Sequence, residues 1–267
     1  DTLDTIATPE QQHINYARQM LSSLPAEVIE AAQNTYTARA VVYFMLLSKD
    51  KVVRDRQIAH LQQQGDNGIA AITLRLSFFQ AQMHKDYRLP LLNIALSSLH
   101  QLTEKQYRRF SENLDSLIAM DSKVELFEWA LKHIVHHVLE VNYTRRANVK
   151  SRFRQCNDVA YECRLLLSVL WFAGKNTTLH NHDMTEIFQS LDISGDLLDR
   201  KQIKLDTLNE ALDRLNELYP LQKPRLLKAC AEVIALDGKV KPIELELFRA
   251  IAEILDCPMP PIVVKQD

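Results

Sequence analysis

Two stretches of this chain are near copies of each other. Residues 117–131 read LIAMDSKVELFEWAL and residues 233–247 read VIALDGKVKPIELEL, so both contain Ile-Ala-x-Asp-x-Lys-Val-x-x-x-Glu. Each copy follows one amphipathic pattern and precedes another. Since self-similarity at a fixed offset is typical of repeated supersecondary units, the sequence predicts two related folding units. We place the first at 1–148 and the second at 149–267.

The rest of the sequence favours helices. The chain has only 5 glycines in 267 residues, and 46% of its residues are hydrophobic. Straight side chains lose little freedom in a helix, and few glycines are present to break one. Capping boxes at Thr8 and Thr103 precede apolar residues at helical spacing, and we find no alternating strand pattern. We therefore predict an all-α array of helical bundles, with about a dozen helices and no sheet.

The repeated motif is not an EF-hand calcium loop. Such a loop needs oxygen ligands at its third and fifth positions and a glutamate at its twelfth. Counted from Asp237, these positions hold Lys239, Lys241 and Phe248. Because lysine side chains repel a cation, the motif needs another interpretation.

Two interpretations stay open. In the first, the motif is a helix corner, where Gly238 ends one helix in the left-handed conformation and Pro242 begins the next. Val124 and Val240 would then point into the core. In the second, the motif forms an acidic cluster that holds a metal ion or a basic partner. The candidate ligands are the matching acidic residues of the two copies: Asp121 and Glu128 in the first, Asp237 and Glu244 in the second.

Histidines form two further candidate metal sites. His133 and His137 lie four residues apart in HIVHHV, as in zinc-binding helices, and His136 lies between them. Ile134 stands where a zinc protease of the His-Glu-x-x-His type has its catalytic glutamate, so such a protease is excluded. The alternative is an exposed helix face. In the loop TLHNHD, the candidate ligands are His180, His182 and Asp183.

A basic segment lies near the predicted boundary between the units. Its cations are Arg145, Arg146, Lys150, Arg152 and Arg154. It is either an exposed connector or a patch that binds acidic lipid headgroups or an acidic partner. Its single aromatic residue and the net charge of -2 of the chain argue against a nucleic-acid partner.

Nothing in the sequence requires catalysis or a membrane span. It contains no P-loop, no Gly-rich dinucleotide turn and no nucleophile elbow. The longest apolar runs are shorter than the roughly 20 residues that a spanning helix needs. The four cysteines form no CxxC pair, which favours reduced thiols and a cytosolic location. Because the chain begins with Asp1, we expect it to be part of a longer protein.

The repeated Asp-Gly/Ser-Lys-Val-x-x-x-Glu element resembles the TerB-like (tellurite-resistance-like) helical domain. Longer phrases, such as ACAEVIALDGKVKPIELELFRAIAEILDCPMPP, resemble the C-terminal region of bacterial integral-membrane zinc metallopeptidases. These are related to the HtpX-type proteases and the CaaX prenyl endopeptidases. The resemblance covers nearly the whole chain.

The resemblance implies a non-catalytic regulatory domain on the cytoplasmic side of the bacterial inner membrane. Zinc and the His-Glu-x-x-His motif would belong to a protease domain upstream, which is the expected partner together with protein substrates or the membrane surface. TerB-like domains also imply metal binding by acidic residues, which only Asp121, Glu128, Asp237 and Glu244 match here. A stand-alone metal-binding stress-response module is therefore the alternative function.

Overall fold

The computed structural model describes residues 24–121, 124–143, 150–174 and 184–257. These residues form two compact units, 24–143 and 150–257. Within the described ranges the chain has twelve α-helices and no β-strand, which confirms the predicted all-α class. The predicted boundary at 148–149 and the capping box at Thr8 lie outside the described residues.

The described residues of the first unit form seven α-helices. They are α1 (Ala26–Gln33), α2 (Ala38–Met45), α3 (Lys51–Gln64), α4 (Ile69–Ser77), α5 (Arg88–Leu99), α6 (Glu104–Ala119) and α7 (Leu126–Glu140). Helix α2 is the centre of this unit, because every residue from Ala38 to Phe44 is buried. A helix that is buried on all sides must be covered by others, and α2 packs against α1, α4, α5 and α6, while its one charged residue, Arg39, pairs with Asp66.

Polar side chains define where these helices begin. The Asp50 carboxylate accepts hydrogen bonds from the Val52 and Val53 amides at 2.8 and 3.0 Å, so it caps α3. At the start of α6, the Thr103 amide donates to the Gln106 side chain at 2.9 Å, and the Gln106 amide donates to the Thr103 hydroxyl. The capping box predicted at Thr103 is therefore confirmed.

A buried glutamine connects three segments of the first unit. The Gln57 amide nitrogen donates to the carbonyl oxygens of Leu46 and Leu117, each at 3.0 Å. Its side-chain oxygen accepts the Ser48 amide at 2.9 Å. Gln57 is fully buried, and these three bonds satisfy both ends of its side chain. It therefore ties α3 to the end of α2 and to the end of α6.

The second unit has five α-helices among its described residues, again arranged around a central helix. They are α8 (Ala160–Ala173), α9 (Thr185–Ser190), α10 (Leu205–Asn216), α11 (Gln222–Ala235) and α12 (Pro242–Ile254), and a 3-10 turn at Cys156–Val159 precedes α8. Helix α8 is the buried centre, with every residue from Leu165 to Trp171 buried. It packs against α10, α11 and α12.

The internal likeness extends beyond the repeated motif. In the first unit α2 packs against α5 and α6, while α7 packs against both of these. In the second unit α8 packs against α10 and α11, while α12 packs against both of these. Four helices in each unit thus share these contacts, although α8 also packs against α12, and the repeated motif forms the last corner of each.

Replacing Gln57 with leucine should destabilise the first unit by about 3 kcal/mol, because two buried carbonyls and one amide lose their partner. Urea unfolding followed by circular dichroism measures this change. The matched control is Gln63→Leu on the exposed face of the same helix, which should change the free energy of unfolding by less than about 0.5 kcal/mol. Equal effects of the two substitutions would contradict a structural role for the Gln57 hydrogen bonds.

Candidate functional site

The second copy of the motif forms a tight corner between α11 and α12. Gly238 has a φ of 70°, the left-handed region that favours glycine, and its amide donates to the Ala235 carbonyl at 3.0 Å. The Asp237 carboxylate accepts the Lys239 amide at 2.9 Å and so orders the turn. Pro242 is the first residue of α12. These contacts are those of the predicted helix corner.

Glu244 is the most unusual side chain of this corner. It is the third residue of α12 and is fully buried, with a relative exposure of 0%. Its Oε2 atom accepts the Lys241 amide at 2.7 Å. Its Oε1 atom is buried and has no hydrogen-bond partner in the part of the chain that the structure describes. A buried acceptor without a partner is unfavourable, and more so when it is charged.

Lys241 places a positive charge inside the corner. Its Nζ atom donates to the Gly174 carbonyl and lies 3.0 Å from Oδ2 of Asp237. Gly174 directly follows α8, so the ammonium group lies at the carbonyl end of the central helix, where a positive charge is favourable. Lys241 therefore occupies the position beside Asp237 that a bound cation would take.

Burial governs the protonation of Glu244. Loss of water contact raises the pKa of Glu244 to about 7, against the lowering effects of the Lys241 amide and ammonium groups. The negative charge of Asp237 adds to the increase. Glu244 therefore changes its charge close to neutral pH.

The corner in the first unit has the same plan with different partners. Glu128, the third residue of α7, is buried, and its Oε2 atom accepts the Glu125 amide at 2.9 Å. Burial raises the pKa of Glu128, and the charges of Glu125 and Asp121 act in the same direction. Oδ2 of Asp121 accepts the Ser48 hydroxyl at 3.3 Å, just after central helix α2. A serine thus contacts the motif aspartate here, whereas a lysine does so in the second unit.

The structure places the four predicted acidic ligands in two separate pairs. Asp121 and Glu128 belong to the first unit, and Asp237 and Glu244 belong to the second. Among the described residues, no group of three or more His, Cys, Asp or Glu side chains is arranged to hold a metal ion. Each glutamate instead accepts the amide of the residue that precedes its own helix.

One expectation for the corners is wrong. Val124 does not enter the core, since it is 40% exposed, and Val240 is only partly buried. The interior position at each corner is taken by the motif glutamate, because that side chain must reach back to the start of its helix. The valines consequently remain near the surface.

Helix α7 carries the predicted pair His133 and His137. It is His136, between them, that contacts α6. Nε2 of His136 lies 3.2 Å from Oδ1 of Asp115, which Lys132 also contacts at 2.9 Å. Nδ1 of His136 lies 3.3 Å from the Ser111 hydroxyl. The His133 ring packs on Trp129, with ring centroids 4.4 Å apart. His180, His182 and Asp183 lie outside the described residues.

The structure describes three of the five cations of the basic segment. Arg145 and Arg146 lie outside the described residues, while Lys150, Arg152 and Arg154 are exposed. The Arg152 side chain pairs with Glu217 at 3.4 Å, and its amide donates to the Glu217 carbonyl at 2.8 Å. Lys150 and Arg154 have no side-chain ion pair with any residue that the structure describes.

Lys241 and Ser48 are the corner residues that sequence reasoning missed. No helical spacing predicts the pairing of Lys241 with Asp237, because residues 237–241 form the corner and not a helix. Nothing in the sequence pointed to Ser48, which lies 73 residues from Asp121.

Among the described helices, none is both long and apolar enough to cross a bilayer. The chain matches no protein-family model, and no curated protein or solved structure is significantly similar to it. The resemblance to TerB-like domains and membrane metallopeptidases therefore stays a prediction from sequence.

The Glu244→Gln variant should lose part of the pH dependence of stability. The pKa of Glu244 is raised from 4.5 to about 7 in the folded chain, so the folded state holds a proton that the unfolded state has released. The stability that this proton gives to the folded state is fully present below pH 4.5 and is lost as the pH rises to about 7. Its size is on the order of 3 kcal/mol.

Urea unfolding at pH 5 and pH 8 measures the effect. The wild-type chain should lose stability between these two pH values, and Glu244→Gln should lose much less. The control is Glu210→Gln on an exposed position of α10, which should follow the wild-type profile. An unchanged pH profile for Glu244→Gln would contradict the assignment.

Proposed function

We propose that this chain is a non-catalytic, all-helical regulatory domain that binds other proteins. It would form the soluble C-terminal part of a bacterial membrane-bound zinc metallopeptidase. The observation that supports this proposal most is the role of the repeated acidic motif. In both units the motif glutamate is buried and accepts the amide that precedes its own helix. The most distinctive polar residues of the chain thus maintain its fold.

A duplicated helical scaffold of this kind suits recognition of proteins. Surfaces for binding are formed on rigid elements, and here each unit surrounds a central helix with a long run of buried residues. The expected partners are the upstream protease domain, which would carry the zinc, and protein substrates of that protease. Lys150, Arg152 and Arg154 offer an exposed basic surface that could also face the inner membrane from the cytoplasm. No nucleic-acid partner is proposed.

A proteolysis assay tests this function. The purified chain, incubated with casein and zinc, should show no cleavage above a zinc-free control. The natural reading frame that includes the upstream region should cleave substrate, and deleting residues 24–257 from it should change the rate or the choice of substrate. Zinc-dependent cleavage by the present chain alone would overturn the proposal, and so would an upstream protease that is unaffected by the deletion.

The alternative is a TerB-like metal-binding stress-response module. The observation that favours it is the buried Oε1 atom of Glu244, which has no partner among the described residues and lies in the same corner as Asp237. A divalent cation that displaced the Lys241 ammonium would gain both carboxylates as oxygen ligands. A ligand that binds only the folded state also stabilises it.

Thermal unfolding with added metal separates the two functions. The regulatory proposal predicts an unchanged Tm when Ca²⁺, Mg²⁺, Mn²⁺ or Zn²⁺ is added at about 1 mM, which is about 100-fold above the protein concentration. The alternative predicts a higher Tm with one bound ion, and loss of that increase in Asp237→Asn and Glu244→Gln. The matched controls are Asp121→Asn and Glu128→Gln, which alter the corner of the first unit only. If metal raises the Tm and only the second-unit variants lose this increase, the metal-binding alternative replaces the regulatory proposal.

A further inference from the structure

Two loops of the second unit lie side by side and expose both cations and apolar side chains. One loop precedes the 3-10 turn, and the other connects α10 to α11. The Arg152 amide donates to the Glu217 carbonyl at 2.8 Å, and the Tyr219 amide donates to the Phe153 carbonyl at 3.0 Å. We call the exposed face of these loops the paired-loop surface, and its exposed charged and apolar side chains are Lys150, Arg152, Arg154, Tyr219, Pro220 and Leu221.

The second loop ends in an apolar tip. Leu221 is 88% exposed, which makes it the most exposed large hydrophobic side chain among the described residues. The Gln222 amide donates to the Tyr219 carbonyl at 2.8 Å, so Pro220 and Leu221 lie at the centre of a tight turn. Tyr219 is itself 39% exposed. The turn therefore presents three consecutive apolar or aromatic side chains to solvent.

Positive charge lies in the loop beside this tip. The Arg152 side chain pairs with Glu217 at 3.4 Å, and the Asp158 carboxylate accepts the Arg154 amide at 2.8 Å. The side chains of Lys150 and Arg154 are exposed and form no ion pair with a described residue. The three cations thus outnumber the two acids, and Lys150 and Arg154 carry the excess positive charge.

This combination suits a lipid bilayer better than a protein. A stable protein interface covers about 800 Å² on each partner and requires complementary shapes, whereas the paired-loop surface presents a single protruding turn. A bilayer needs no shaped pocket. Tyrosine and apolar side chains lie at the boundary between lipid headgroups and acyl chains, and lysine and arginine contact anionic lipid phosphates.

From these contacts we infer that the paired-loop surface docks on an anionic lipid bilayer, with Leu221 inserted below the headgroups. Tyr219 lies at headgroup level, and the cations contact lipid phosphates. This inference rests on the proposed function, in which the chain is attached to a membrane protein. It goes further by naming the residue that inserts and the lipid charge that it requires. Docking through one turn and a few cations is reversible, which suits a domain already held near the bilayer.

Vesicle sedimentation tests the paired-loop surface. The wild-type chain should sediment with vesicles of equal parts phosphatidylglycerol and phosphatidylcholine at about 0.05 M salt, and most of it should be released at about 0.5 M, because salt screens the charges. It should not sediment with phosphatidylcholine alone. Leu221→Gln should weaken binding to the anionic vesicles about tenfold, since less apolar surface leaves water. Lys150→Gln combined with Arg154→Gln should weaken it about twentyfold.

Two variants serve as matched controls. Leu74→Gln removes an exposed leucine of the first unit. Lys204→Gln removes an exposed cation just before α10, about 18 Å along that helix from the paired-loop surface. Both variants should bind anionic vesicles like the wild type. Circular dichroism checks that every variant is folded, which is expected because all of the substituted side chains are exposed.

Leu221→Trp reports insertion directly. The two native tryptophans, Trp129 and Trp171, are buried. Brominated acyl chains quench indole fluorescence at close range, so anionic vesicles that contain them should quench the indole at position 221. The wild-type chain should show little quenching under the same conditions.

Three results overturn the inference. The first is the absence of binding to anionic vesicles, which is the outcome expected if the surface binds a protein instead. The second is equal binding by Leu221→Gln and the wild type. The third is a loss in Lys204→Gln as large as in the double variant of Lys150 and Arg154. A protease that still responds to deletion of residues 24–257 would keep the regulatory function in each case, so the two failures are distinguishable.

Discussion

Both units depend on a hydrogen bond in which a buried glutamate accepts the amide that precedes its own helix. Glu128 and Glu244 each occupy the third position of the last described helix of a unit and accept the amide of the residue before that helix. The bond satisfies an amide that a helix start would otherwise leave without a partner. Because the carboxylate must enter the interior to make it, the bond also fixes the corner against the neighbouring helices, at the cost of desolvating an acid.

The contacts of the motif aspartate differ between the two corners. In the first unit the motif aspartate contacts a neutral serine hydroxyl beyond α2. In the second unit a lysine side chain brings an ammonium group to the motif aspartate and to the end of α8. A duplicated motif can thus keep one structural task while its two copies differ in the contacts of their aspartates.

The local sequence pattern predicted some features of the structure and not others. Helix class, the capping box at Thr103, the left-handed Gly238 and the start of α12 at Pro242 were predictable, because each depends on residues within one or two turns. The positions of Val124 and Val240 were predicted wrongly, since the sequence does not show which side chain of a corner fills the interior. The contacts of Ser48 with Asp121 and of Gln57 with Leu117 join residues far apart in sequence, and no local rule anticipates them.

The sequence by itself determined an all-helical chain with a duplicated motif, because helical periodicity, scarce glycine and self-similarity are all readable along one dimension. It also restricted the motif to a corner or an acidic cluster. Only the tertiary structure decided that the motif glutamates are buried and bonded to backbone, and that Lys241 lies beside Asp237. The physical reason is that burial and hydrogen-bond partners are set by how whole helices pack, and packing brings together side chains whose distance along the chain carries no signal.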